Sequence, residues 1–308
     1  MLTRNGCRRK IHLYTNEKRE TGKRREIFEL TYFRPLNISD ALDVLADHRV
    51  RIIGGCTDVF PATTSPVLHG AVLDVTAIEG LRGISETTDD WRIGAATTWS
   101  DLIAQDLPAA FDGLKLAARE IGSVQIQNSA TIAGNLCNAS PAADGVPALL
   151  TLDASVELVS RAGTRTLPLS EFIQGPRQTD LCAGELLSAV LVPTSAAQGR
   201  SGFIKLGSRK YLVISIVMAA VRMVEDKGII EEIAISVGSC SPVAVRLNAL
   251  EAALKGQKIG PDVLALVTEQ LVTSRLSPID DVRASAEYRR TAALEIVRRV
   301  ISSVVLAP

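Results

Sequence analysis

The stretch T-I-A-G-N-L-C-N-A-S-P-A-A-D, Thr131 to Asp144, constrains the fold of this chain more than any other. It sets a glycine, two asparagines and a run of small residues between apolar segments, where an ordinary loop is more polar and less tightly specified. Small side chains at this density mean that backbone passes close to something. Gly134 permits a tight turn, and Thr131 and Asn135 offer side-chain hydrogen bonds beside it. Ser140-Pro141 has the form of an N-cap and first position for a helix through A-A-D-G-V-P-A-L-L. A helix start favours an anionic or hydrogen-bonding ligand. Asp144, in the first turn of that helix, reads either as an acid compensating the helix dipole or as an acceptor for a polyol hydroxyl.

A second segment of the same character is I-I-G-G-C-T-D, Ile52 to Asp58, at the end of a predicted strand. Two successive glycines let backbone N–H groups converge on an anion such as a phosphate or pyrophosphate. The same pair also makes a plain tight turn. A nicotinamide-type dinucleotide fold competes for these residues, because Asp74 lies twenty positions after Gly54, where a ribose-binding acid is expected. The G-x-G-x-x-G spacing is absent, however, and the segments that follow turn antiparallel.

Around these segments the chain divides into units. Residues 1 to 26 hold nine Lys/Arg against three acids with little apolar periodicity, and are set outside the fold as a solvated, disordered basic extension in preference to a docking arm. From 27 to 80, F-E-L-T-Y, a helix capped by Ser39, V-R-I-I and A-V-L-D-V suggest a small parallel α/β unit. From 81 to 197, W-R-I-G-A-A-T-T-W is a strand, Ser100-Asp101 caps a short helix and L-K-L-A-A-R-E-I is helical. S-V-E-L-V-S and R-T-L-P-L form a hairpin, and L-L-S-A-V-L-V-P is a further strand. The turn signal Q-G-R-S-G opens a third unit, 198 to 308, with an antiparallel meander followed by helices over 244–255, 262–273 and 281–305.

The whole-chain properties exclude several functions. The 34 basic and 34 acidic side chains cancel among 308 residues, leaving no net field for nucleic acid or an anionic membrane. No apolar run spans a bilayer and the start lacks a secretory core, so a cytoplasmic location is expected. Five cysteines, at 7, 56, 137, 182 and 240, form no C-x-x-C pair, so neither a zinc nor an iron–sulfur site is supported. His12, His48 and His69 fall outside every motif, and no Ser/His/Asp arrangement is present. Cys56 and Cys137 lack a basic neighbour to activate them and read as fit, not redox chemistry. Arg209 and Lys210 read as a solvated basic turn, and the last helix, with Arg289, Arg290, Arg298 and Arg299, as an amphipathic packing helix.

The pair I-x-G-G-x-T-D and I-G-S-x-Q-I-x-N-x-A-T-I-x-G-N-x-x-N-A-S-P-A-A-D resembles the FAD-binding medium subunit of the molybdenum hydroxylases, the xanthine dehydrogenase and carbon monoxide dehydrogenase group. The resemblance continues through G-F-I-K-L-G-S-R-K, I-S-I-V-M-A-A-V, G-S-C-S-P-V-A-V-R and A-S-A-E-Y-R-R, covering Phe28 to about Arg299. It implies an α+β protein with a vanillyl-alcohol-oxidase-like (PCMH-type) FAD-binding fold: two α/β subdomains and a C-terminal α+β domain of antiparallel sheet and helices. By motif, Ile53, Gly54, Gly55, Cys56, Thr57 and Asp58 take the pyrophosphate end of FAD. Ala130, Thr131, Gly134, Asn135, Ser140 and Asp144 take the diphosphate and ribityl region, and Leu187 and Lys205 lie close to the flavin ring. Cys56 departs from the commoner G-G-T-D by one residue.

In such a family the chain is an electron relay. Electrons from a molybdopterin large subunit pass through two [2Fe–2S] clusters of a small subunit to the flavin, then to NAD or another acceptor. None of the metal ligands need lie in this chain. A dimer of heterotrimers is the implied assembly. Lys205 reads either as a cation that tunes the flavin or as a strand lysine on a solvated face. Two rivals remain: a stand-alone flavin oxidoreductase of the same fold, which needs a proton donor that no residue clearly supplies, and a subunit that has lost its cofactor.

Overall fold

The computed structural model describes residues 8–13, 28–64 and 68–306. The first sheet has the order β1-β2-β4-β3, made of β1 (Arg8–Leu13), β2 (Phe28–Phe33), β3 (Arg51–Ile53) and β4 (Gly70–Asp74). β2 and β3 both run parallel to β4, as the strand, helix, strand order requires. β1 is a departure, because it falls in the stretch set outside the fold. It pairs antiparallel with β2, Arg8 opposite Phe33 through Leu13 opposite Phe28. The free edge of β2 supplies main-chain partners that a basic composition does not reveal. The rest of the extension lies outside the described residues.

Helix α1 (Ile38–Asp47) is capped by Asn37, whose side chain accepts from the Asp40 N–H at 2.9 Å. Ser39, the expected cap, lies inside the first turn. The same shift occurs at α2 (Trp99–Ala104), where Thr98 and Asp101 form a reciprocal capping box and Ser100 is already helical.

The middle unit is built on an antiparallel sheet of order β5-β6-β11-β7-β8. Its strands are β5 (Ile84–Glu86), β6 (Asp90–Gly94), β7 (Ser155–Ser160), β8 (Gly163–Pro168) and, at the centre, β11 (Leu186–Pro193). A two-stranded ribbon, β9 (Ile173–Gly175) with β10 (Gln178–Thr179), follows the short α7 (Leu169–Phe172). Five helices join β6 to β7: α2, then α3 (Asp112–Glu120) and α4 (Val124–Ser129), then α5 (Ile132–Asn138) and α6 (Gly145–Thr151). The run Ala95–Thr98, expected as strand, instead receives main-chain bonds from the start of α5: Ile132 N–H to Thr97 O, and Ala133 N–H to Ala95 O.

The third unit carries a meander of β12 (Arg200–Leu206), β13 (Val217–Asp226), β14 (Ile229–Gly238) and β15 (Val245–Arg246). Arg200–Gly202, expected as linker, belongs to β12. Gly202 is there because a Cβ would meet Val304 at 2.8 Å, so its smallness serves packing and not a turn. Three helices complete the unit: α8 (Asn248–Leu254), α9 (Glu269–Thr273) and α10 (Ala286–Val305). The expected helix over 262–273 is divided into a 3-10 turn, Pro261–Leu266, and α9. The last helix starts at Ala286, capped by Ser285, because Asp281 spends its carboxylate on the Arg283 and Ala284 amides ahead of it.

β13 is buried on both faces. Met218 and Ala220 join the core of the first two units, while Val217, Ala219, Val221 and Met223 join the core beneath α10. Period-two alternation therefore sorts its side chains between two cores, and the strand reads as one apolar run. Among the described residues, no helix is long and apolar enough to cross a membrane.

Candidate functional site: a cleft between two glycine segments

The loop after β3 and the junction between α4 and α5 meet. A Cβ on Gly55 would lie 1.7 Å from the Ser129 carbonyl oxygen, and one on Gly54 would lie 2.8 Å from Thr131 Oγ1. A side chain on Gly55 would meet backbone and drive the two segments apart, whereas one on Gly54 would press on the Thr131 side chain. Thr131 caps α5 by accepting the Gly134 N–H at 3.1 Å, so Gly134 is the third residue of a helix and not a turn glycine. Cys56 turns the chain in the left-handed region, φ +58°, and delivers Thr57 and Asp58 beside it.

A cavity of about 580 Å³ opens where these segments meet, within the roughly 300–1,000 Å³ usual for small-molecule sites. Ile53, Gly54, Gly55, Cys56, Thr57 and Asp58 line it from the first unit, and Ala130, Thr131, Gly134, Asn135, Ser140 and Asp144 from the second. Lys205 reaches it from β12. Leu187 does not belong to this lining. It lies on the central strand β11 opposite Leu158 and is buried in the core.

In the cavity lining a buried ion pair joins two units. Lys205 Nζ lies 2.6 Å from Asp144 Oδ2 and also donates to the Glu120 carbonyl. Ser215 donates its hydroxyl to the other carboxylate oxygen. Burial pushes the Asp144 carboxyl above its ordinary range, while the Lys205 ammonium and the two hydrogen bonds pull it back. Lys205 is thus neither a free cation nor a solvated lysine, and the pair presents a dipole to the cavity. Asp144 occupies the N-cap position of α6, which begins at Gly145. Ser140-Pro141, the expected helix start, forms a separate turn in which Ser140 Oγ accepts the Ala142 N–H.

The lining also holds a polar bridge that the sequence did not signal. Arg177, in the turn between β9 and β10, donates to both the main-chain and side-chain oxygens of Asn138, and Asn138 Nδ2 donates to Asp58 at 2.9 Å. Arg177 stands 33 positions after Asp144 in a short hairpin without a distinctive pattern, so only the tertiary fold brings it here. Charge along the cavity balances, with Asp58 and Asp144 against Arg177 and Lys205. An anion there relies on main-chain N–H groups and not on a surplus of cations. Burial raises the Cys56 thiol, with Asp74 adding to it, and raises Cys137 to about 12, so neither is a thiolate near neutrality. Asp74 itself is engaged by Tyr32 and Thr76 and does not line the cavity.

Among the described residues, two buried polar atoms of lining residues have no partner: Trp99 Nε1, a donor, and Asn135 Oδ1, an acceptor. Buried groups of this kind are normally paired. Their presence in the lining, with the glycine contact that no side chain can fill, fits a cofactor rich in hydroxyls and phosphate oxygens.

Residues 26–195 match the family described as FAD binding domain in molybdopterin dehydrogenase, and residues 203–304 match the CO dehydrogenase flavoprotein C-terminal domain. The xanthine dehydrogenase FAD-binding subunit of Escherichia coli O157:H7 is 29% identical over 90% of this chain and 96% of its own length. The nicotine 6-hydroxylase medium subunit of Paenarthrobacter nicotinovorans is 29% identical over 88% of this chain and 96% of its own. A carbon monoxide dehydrogenase chain from Hydrogenophaga pseudoflava superposes with a TM-score of 0.82 at 26% identity, covering 90% of this chain and 96% of that one. Quinoline 2-oxidoreductase from Pseudomonas putida 86 gives 0.81 at 26% identity, covering 89% and 96%. The chain therefore belongs to the FAD-binding medium subunits of the molybdenum hydroxylases, flavoprotein subunits of oxidoreductases.

Proposed function

We propose that this chain is the flavin relay of a three-component molybdenum hydroxylase. It would take electrons from [2Fe–2S] clusters on a small subunit, fed by a molybdopterin large subunit, and pass them to NAD or another acceptor. The observation that carries the reading is the close approach of Gly54-Gly55 to Ser129–Thr131 at a cavity that the Lys205–Asp144 pair also lines. Gly54, Gly55, Cys56, Thr57 and Asp58 would hold the pyrophosphate end of FAD. Thr131, Gly134, Asn135 and Asp144 would hold the diphosphate and ribityl region, with Lys205 near the ring. Trp99 and Arg177 join them as residues that the motifs do not include.

When bound, FAD supplies the redox chemistry, accepting electrons and handing them on. The chain's own residues bind, orient and bias it. The glycine pair admits backbone N–H groups at short range, and Thr131 holds the Gly134 amide in place. Asn135 Oδ1 and Trp99 Nε1 offer an acceptor and a donor already stripped of water, so pairing them with a ligand costs little further desolvation. Asp144, held by Lys205 and Ser215, presents a fixed dipole whose lysine end favours negative charge on a reduced ring.

Support for the partners comes from the relatives, which are FAD-binding or medium subunits, and from the carbon monoxide dehydrogenase neighbour, solved in a form that lacks the Mo-pyranopterin moiety of its molybdenum cofactor. A dimer of heterotrimers is the assembly proposed. The test is co-expression with iron–sulfur and molybdopterin proteins encoded beside this chain, followed by gel filtration and flavin absorbance. Flavin reduced by substrate only in the three-component complex is the expected result. Flavin in the isolated chain reduced directly by a small substrate, with no association, would instead establish a stand-alone oxidoreductase.

A further inference from the structure

The C-terminal motifs G-S-C-S-P and A-S-A-E-Y-R-R do not line the cleft, yet one side chain connects both to it. Arg289, on α10, is 3% exposed. Its Nη1 donates to the Ile216 carbonyl at 2.6 Å and to the Ser239 carbonyl at 3.0 Å, and its Nη2 donates to Asp281 Oδ1 at 2.8 Å. Each carbonyl belongs to a residue linked to the Pro141–Asp144 segment, whose Asp144 lines the cleft. Ile216 follows Ser215, whose hydroxyl holds Asp144. Ser239 donates its own N–H to the Pro141 carbonyl at 3.1 Å, inside the turn that leads to Asp144.

The backbone between these points needs holding. Ser239 adopts φ +63°, a left-handed conformation that a non-glycine residue keeps only when its surroundings impose it. A planar guanidinium reaching two carbonyls and a carboxylate at once is the kind of group that imposes it, and lysine lacks that fork. An amphipathic packing helix requires no such arginine on its buried side.

We propose that Arg289 is a positioning residue for the flavin: by fixing the carbonyls of Ile216 and Ser239 it sets the Pro141–Asp144 turn, and through it the Asp144–Lys205 pair. The inference rests on the reading of the cleft as the FAD site. The rival is a purely structural arginine that neutralises Asp281 and stabilises the third unit.

The experiment compares Arg289→Met and Arg289→Lys with Arg298→Met in the full chain. Arg298 lies on the same helix but donates to the Val267 carbonyl, away from the cleft, and serves as the stability control. Amide hydrogen exchange of the FAD-free chain is read at residues 139–145. The dissociation constant for added FAD and the midpoint potential of the bound flavin are then measured. Arg289→Met is expected to speed exchange at 139–145, raise the FAD dissociation constant about tenfold or more, and move the potential. Arg298→Met should lower the melting temperature without any of these. Arg289→Lys should fall between, and it carries the comparison alone if the methionine variant does not fold. Unchanged exchange at 139–145 in both Arg289 variants, or identical behaviour of the Arg289 and Arg298 variants, overturns the proposal. If the wild-type chain takes up no FAD, the cofactor reading fails separately, and the exchange measurement still decides whether Arg289 holds the turn.

Discussion

At Gly55 the smallest addition has the largest consequence. A methyl group placed 1.7 Å from the Ser129 carbonyl oxygen meets backbone, which has no rotamer to yield, so the loop after β3 must withdraw from α4 and α5. Gly55→Ala is expected to cost about 1–3 kcal/mol through overpacking and to abolish flavin uptake, read as loss of absorbance near the flavin bands in a chain that still folds. Gly134→Ala makes a useful contrast, because its new Cβ meets only the Thr131 hydroxyl, at 2.9 Å. Lys205 carries a prediction of a different kind. Lys205→Met strands the Asp144 carboxylate in a buried site, where breaking such a pair costs about 3–5 kcal/mol. The loss of the ammonium also pushes the Asp144 carboxyl further up. A folded carboxyl raised above its unfolded value binds a proton that the unfolded chain releases, so its contribution is favourable below about pH 4 and falls as pH rises through the raised value. Thermal melts at several pH values should therefore show the deficit of Lys205→Met against wild type growing from mildly acid toward neutral and alkaline buffer. A deficit that does not change with pH would refute the assignment of the effect to Asp144.

At the scale of elements, α2 shows how a short helix is made firm enough to set a cleft residue. Thr98 and Asp101 satisfy each other's amides, and Arg82 grips both oxygens of Asp101 at 2.8 Å. Trp99, whose indole N–H lies unpaired in the cleft lining, is the first residue of that helix. The Arg82 guanidinium and the Thr98 amide and hydroxyl hold the Asp101 carboxyl below its usual value against a smaller opposing effect of burial. Its stabilisation is therefore present above the unfolded value of about 4 and is lost as pH falls further. Asp101→Asn should cost about 1 kcal/mol at neutral pH, and its melting curve should converge on that of wild type in strongly acid buffer. The same element shows what the sequence could and could not disclose. Both helix starts, at α1 and α2, were visible as clusters of cap-forming residues, but Asn37 and Thr98 do the capping where Ser39 and Ser100 were expected. Several candidates stand within three positions, and only the tertiary course of the incoming chain selects among them. The glycine and Asn/Asp residues of the cleft were legible because backbone contact tolerates few side chains. Trp99 and Arg177 were not, since a tryptophan in an apolar run and an arginine in a hairpin have many ordinary uses. Leu187 was assigned to the flavin by motif alone, and its strand carries it into the core instead.

Over the whole molecule, the sheet of β12 to β15 decides whether the third unit is a separate body. The turn at Gly199 and the two family matches, 26–195 and 203–304, both suggest a cut near residue 198. The packing argues otherwise, because β13 sends Met218 and Ala220, with Phe203 from β12, into the same core as the helices and sheet of the first two units. Polar ties run across the same boundary. Arg222, wholly buried, donates to the Thr151 carbonyl at the end of α6, and Arg246 bridges the Leu150 carbonyl, Asp153 and Glu251. Cutting the chain there would expose an apolar sheet face and leave the Arg222 guanidinium without its main-chain acceptor, a combination of lost burial and lost hydrogen bonding. It would also remove Lys205 from Asp144 and open one wall of the cleft. We therefore predict that residues 198–308 expressed alone will be insoluble or bind a hydrophobic dye strongly, that residues 27–197 alone will not retain flavin, and that co-expression of the two fragments will restore both solubility and the yellow colour. The intact chain should melt in a single transition by calorimetry. Two well-separated transitions, with a 198–308 fragment that melts at the temperature of one of them, would show that the shared core contributes little and that the cleft is assembled from independent halves.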